Sequence, residues 1–77
     1  MTIHLDIITP EGTVVCQDVD RVELPGSAGR FVVLKDHAAL ISSLTKGDIV
    51  YGQDGIVHIS SGFVEVADNH VLACVEP

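Results

Sequence analysis

Apolar and polar side chains alternate with a period of two through almost the whole chain. Turn-forming residues interrupt the alternation about every 8–12 residues. This pattern constrains the fold more than any other feature, because alternation buries one face of a strand and wets the other. Ile3, Leu5 and Ile7 alternate with His4 and Asp6, and Pro10-Glu11-Gly12 marks a turn. Val14 to Cys16 is strand-prone, and Gln17-Asp18 is expected to interrupt it. Val22 and Leu24 alternate with Arg21 and Glu23 until Pro25-Gly26-Ser27-Ala28-Gly29 breaks the run.

The second half keeps the same rhythm. Phe31 to Leu34 is continuously apolar, as expected for a strand buried on both faces. Lys35-Asp36-His37 is a polar break, and Ala38 to Leu44 fits either a helical turn or a strand. Lys46-Gly47-Asp48, Asp54-Gly55, Ser61-Gly62 and Asp68-Asn69 then separate four further β-prone runs. No stretch of ten or more residues has a 3.6 period. The expected fold is all-β: a flattened β-sandwich or barrel of about eight to ten short, mostly antiparallel strands, without a C-terminal helical hairpin.

Length and charge narrow the function. Seventy-seven residues make a single domain, 1–77, with no room for a second core. A hydrophobic content of 47% is enough for a packed core, so intrinsic disorder is not expected. The net charge of −7 repels phosphate backbones and anionic lipid surfaces, which disfavours nucleic acid as a partner. No apolar run approaches the roughly 20 residues that span a bilayer, so direct membrane insertion is not expected. The first residues lack a basic-then-apolar signal, and Cys16 and Cys74 are expected to be free thiols in a reducing compartment.

Catalytic parts are scarce. His4, His37, His58 and His70 are scattered, without the i, i+4 or C-x-x-C spacing of zinc ligands, and no metal or cofactor is expected. Asp18-Val19-Asp20 lacks the glycine and the glutamate of a calcium loop. Ser60-Ser61-Gly62 is not a nucleophile elbow and reads as a bulge or turn. Gly26 to Gly29 lacks the lysine and helix of a phosphate loop. Cys16 has no cationic neighbour in sequence to activate it. Phe31 and Phe63 lie in apolar strands and are expected in the core, which leaves few aromatics for sugar or RNA stacking. A small all-β chain of this kind works by presenting surfaces.

Three stretches together resemble the epsilon subunit of F-type ATP synthases, called delta in mitochondria. They are His4 to Gly12, Pro25 to Ile41 with its Pro-Gly turn, second glycine and His-Ala pair, and Ser61-Gly62-Phe63-Val64-Glu65-Val66. The resemblance implies a flattened sandwich of about ten strands that does no chemistry itself. It implies a rotor subunit joining the gamma shaft to the c-ring, within a catalytic sector of alpha, beta, gamma, delta and epsilon subunits. It places the chain peripherally, at the cytoplasmic face of a bacterial plasma membrane. By the same resemblance Gly26, Ser27, Ala28, Gly29, Arg30, Asp36, His37, Ala38, Leu40 and Ile41 are the expected partner contacts. Arg30 stands where the family usually has an acidic residue, so either the ring loop differs or Asp36 supplies the negative charge. The family's two-helix C-terminal region has no counterpart after the last strand, so its nucleotide-binding and braking roles are not carried over. Two rivals are a small sandwich that binds a soluble ligand such as a sugar, and a hydrolase or isomerase using His37 and Asp36.

Overall fold

The computed structural model describes residues 1–77, and it contains strands and turns but no helix. The strands are β1 (Ile3–Thr9), β2 (Gly12–Val19), β3 (Val22–Gly26), β4 (Gly29–Val33), β5 (Leu40–Leu44), β6 (Gly47–Tyr51), β7 (Gly55–Ile59), β8 (Ser61–Ala67) and β9 (His70–Glu76). Nine strands fall within the expected eight to ten. They form one curled sheet in the order β2-β1-β9-β8-β5-β3-β6-β7, with β4 also hydrogen-bonded to β3. Every pairing is antiparallel except that of β1 with β9.

The sheet folds over between β5 and β3, which share only the Gly26–Leu44 pair. One layer is then β2-β1-β9-β8-β5, and the other is β4-β3-β6-β7. Alternation points Ile3, Leu5, Ile7, Val64, Val66, Val71 and Ala73 inward from the first layer. Val22, Leu24, Val33 and Ile49 meet them from the second, and all belong to one core of 16 buried apolar side chains. No polar side chain is buried. The body measures 29 × 24 × 19 Å, the flattened shape that two stacked layers give.

The ladder explains the departures from the sequence reading. β2 runs unbroken through Gln17 and Asp18, because their backbones pair with Leu5 and His4. It ends the strand order, so only Val15 and Val19 need face the core. Ala38 to Leu44 resolves into β5, paired with β8. The apolar run Phe31 to Leu34 is not buried on both faces: β4 pairs with β3 alone, and Val32 and Leu34 are exposed. Phe31 packs partly against the core, but Phe63 does not enter it and is 53% exposed. Val64 and Val66 take the inner face of β8, so strand parity turns Phe63 outward.

Candidate functional site

Gly26 to Arg30 forms the tight β3–β4 hairpin, with Gly26 opposite Gly29 and Ser27-Ala28 at the tip. A Cβ on Gly26 would meet the Gly29 carbonyl oxygen at 2.8 Å and the Phe31 ring at 2.9 Å, so the turn closes only over glycine. The tip is fixed from the side as well. The Ser27 amide donates to the Ser43 carbonyl at 3.0 Å, and the two serine hydroxyls are 2.7 Å apart.

Arg30 does not project as a free cation. Its Nε donates to Glu23 at 2.8 Å, and a terminal nitrogen donates to the Asp48 carbonyl at 2.9 Å. Arg21 also reaches Glu23, at 3.4 Å. Glu23 on the neighbouring strand therefore offsets part of the positive charge at this position, and shares that role with Arg21.

Asp36, His37 and Ala38 lie elsewhere. Gly26 and Ser27 sit beside the Leu44 end of β5, whereas the loop before Leu40 sits at its other end, by the β8–β9 turn. Four residues of strand, roughly 13 Å at about 3.3 Å each, separate the two. The expected contact set is thus two clusters joined by Leu40 and Ile41 on β5.

The second cluster is held by Asn69. Asp68 and Asn69 have φ of 52° and 61°, as a two-residue hairpin of matching twist requires. Asn69 Oδ1 accepts the Asp36 amide at 2.6 Å, and its Nδ2 donates to the Asp36 carboxylate at 3.2 Å. The Asn69 bond and then Lys35 hold the Asp36 carboxyl below its ordinary value of 3.8. A depressed acid stabilises the fold above its ordinary titration range, and that contribution is lost as pH falls through the lower folded value. Asn69→Gly keeps the turn but deletes the amide. It should move the Asp36 titration, followed by carboxyl NMR shifts, back up towards its ordinary value. An unmoved titration would show that the contact is not what depresses it.

His37 and Asp36 are not hydrogen-bonded to each other as an acid–base pair would be. His37 Nδ1 donates to the Ala38 carbonyl at 2.6 Å, while the Asp36 carboxylate is taken by Asn69 and Lys35. The sugar-binding rival needs an enclosed pocket, and the largest grooves, of about 350–380 Å³, are open ones on the surface. The outer face of β5, β8 and β9 instead carries an apolar strip. Ile41, 75% exposed, stands opposite Glu65 and beyond it Leu72; Phe63 stands opposite Ser43 and Cys74. The resemblance named Ile41 as an expected partner contact, whereas the outward turn of Phe63 required the register.

Two histidines that are far apart in sequence meet in space. His4 and His70 are direct neighbours across the parallel β1–β9 pair, with Asp6 two residues on. His70 Nε2 donates to Asp6 at 2.7 Å, and His4 Nδ1 donates to Asp18 at 2.8 Å. Asp18 chiefly raises the His4 pKa, and the His70 bond chiefly lowers that of Asp6. Cys16 is opposite Asp6, whose carboxylate pushes the thiol pKa up. Both cysteines are free. Local spacing could not show this group, since pairing of the first strand with the last creates it.

Fold and surface together define a β-sandwich domain that presents faces and loops rather than an enclosed cleft. The chain belongs to the family described as the ATP synthase, Delta/Epsilon chain, beta-sandwich domain, which it matches over residues 2–76. It is 43% identical over 79 aligned positions to the ATP synthase epsilon chain of Campylobacter fetus subsp. fetus, covering 97% of this chain and 61% of that one. It is 40% identical over 78 positions to the ATP synthase epsilon chain of Nitratidesulfovibrio vulgaris, covering 97% and 58%. The chain thus spans about three-fifths of the length of these relatives. Two solved structures share the fold. A chain of the Tetrahymena thermophila mitochondrial ATP synthase central stalk and c-ring superposes with a TM-score of 0.85 at 17% identity, covering 100% of this chain and 65% of that one. A chain of the Euglena gracilis mitochondrial ATP synthase gives 0.91 at 22% identity, covering 99% and 51%.

Proposed function

We propose that the domain is the non-catalytic foot of a rotary ATP synthase stalk, coupling a gamma shaft to a c-ring at the cytoplasmic face of the membrane. The apolar strip of Ile41 and Phe63 carries this reading, because an outward-facing patch in a family of assembly subunits is a docking face. On this reading the strip packs on gamma, and the Gly26–Arg30 hairpin meets the polar loops of the ring. The stiffness of a close-packed sandwich suits a part that transmits torque. With Arg30 held back on Glu23, the tip of the hairpin offers the ring its backbone and small side chains.

The test is assembly. Ile41→Asp combined with Phe63→Asp should reduce recovery of gamma with this chain by at least about tenfold, since two apolar anchors are worth more than the 1.4 kcal/mol which that represents. Both side chains face outward, so circular dichroism should remain that of a folded domain. Undiminished recovery of gamma would place the docking face elsewhere. Full proton-coupled synthesis by a complex lacking this chain would overturn the coupling role itself.

A further inference from the structure

We infer that the outer face of β2, β1 and β9 carries a site for a divalent transition-metal cation of the zinc class. His4, Asp6 and His70 are its ligands, and Cys16 completes the set. The first three present ligand atoms that all lie within 4.8 Å of one another. His4 Nε2 is 3.4 Å from Asp6 Oδ1 and 3.7 Å from Cys16 Sγ. A tetrahedral zinc ion with its usual bonds to nitrogen, oxygen and sulfur sets neighbouring donor atoms about 3.3–3.7 Å apart. Both separations are therefore edges of such a tetrahedron. The hydrogen bond of 2.7 Å between His70 Nε2 and Asp6 Oδ2 must open by about 0.6 Å to reach that edge length. Cys16 Sγ, which is not within 4.8 Å of every one of the other three ligand atoms, must turn inward about its side-chain bond to join them.

The backbone already fixes the arrangement. His4 is opposite His70 on one side and Asp18 on the other, and Cys16 is opposite Asp6. Four ligands thus come from three adjacent strands without any loop having to move. The remaining nitrogen of His4 is also accounted for. Its Nδ1–H donates to the Asp18 carboxylate, which leaves Nε2 facing Asp6 and Cys16. A carboxylate behind a ligating histidine fixes its tautomer and orientation in metal sites generally.

The donor set selects the ion. Two imidazoles and a thiol are poor ligands for magnesium or calcium, which take oxygen, and good ones for zinc and its neighbours. Four protein ligands fill a tetrahedral shell, so the bound ion is structural and leaves no open position for chemistry. Its effect is to fasten the first strand to the last. The group lies beside the apolar strip but shares no residue with it, so the inference does not depend on the proposed docking.

The experiment uses the untagged 77-residue chain, freed of metal by a chelator and titrated with zinc chloride in a calorimeter. The expected result is saturable one-to-one binding. His4→Ala and His70→Ala should each weaken it at least about tenfold, Asp18→Asn about tenfold, and His58→Ala not at all. Cobalt(II) in place of zinc should give tetrahedral visible bands and a near-ultraviolet thiolate band that Cys16→Ser removes. Binding that fails to saturate, affinity unchanged in either histidine variant, or a cobalt spectrum without the thiolate band would overturn the site. The side chains all reach solvent, so the variants should fold. Should one of them not fold, the Cys16→Ser spectrum alone still decides.

Discussion

Leu5→Ala should remove about 3–5 kcal/mol of folding stability, the largest single loss expected in this chain. Leu5 has no exposed surface, and it lies mid-strand on β1 between Gln17 of β2 and Val71 of β9. Neighbours on both sides are held by ladder bonds, so the surroundings cannot collapse into the space that the missing methyl groups leave. Transfer and cavity costs then add. A domain of this size has about 4–12 kcal/mol in total, so the variant keeps little reserve. Urea unfolding followed by far-ultraviolet circular dichroism measures the change. A loss below about 1 kcal/mol would mean that β1 does not run through the centre of the core.

Gly62→Ala should cost about 1–3 kcal/mol by overpacking, lowering the melting temperature by roughly 4–8 °C for each kcal/mol. The new Cβ would lie 2.5 Å from the Cys74 carbonyl oxygen and 3.0 Å from Val75 Cα. Both atoms belong to the backbone of β9, which a rotamer change cannot clear. Gly62 is also part of a row. Gly29, Gly26, Leu44, Gly62 and Val75 are successive cross-strand partners through β4, β3, β5, β8 and β9. This row crosses the line where the sheet folds over, and glycine is the residue that permits so sharp a bend. A scanning calorimeter showing an unchanged melting temperature would refute the close approach of β8 to β9.

Alternation around Ile3–Ile7, Val22–Leu24 and Val57–Ile59 made those strands legible, because parity is a local property. It also separated inward from outward residues on β1, though not on β5, where apolar Ile41 faces out and Ser42 is half-buried. It failed too where inward and outward residues are both apolar: nothing between Phe31 and Leu34 tells an outer strand from a central one, and Phe63 sits beside equally apolar Val64. The glycine hairpin and the loop at His37 were legible as segments. Their separation along β5 was not, since a register must be known before two loops can be assigned to ends. Arg30 illustrates the same limit. As a letter it reverses an expected charge, and only the strand pairing brings Glu23 beside it. The His4–His70 group was hidden for the strongest reason, that its members are brought together by the most distant pairing in the chain.

That parallel pairing of β1 with β9 also sets an order on how the domain can form. During synthesis β1 can find β2 early, but its other edge stays open until His70 to Glu76 have left the ribosome. Closing so large a loop precedes most of the contacts that reward it, which makes folding slow for a chain of this length. Until then β1 and β8 expose unpaired backbone and the apolar residues destined for the core, the kind of edge on which other chains add. The last strand therefore acts as the clasp whose late arrival governs how long the nascent chain is open to aggregation.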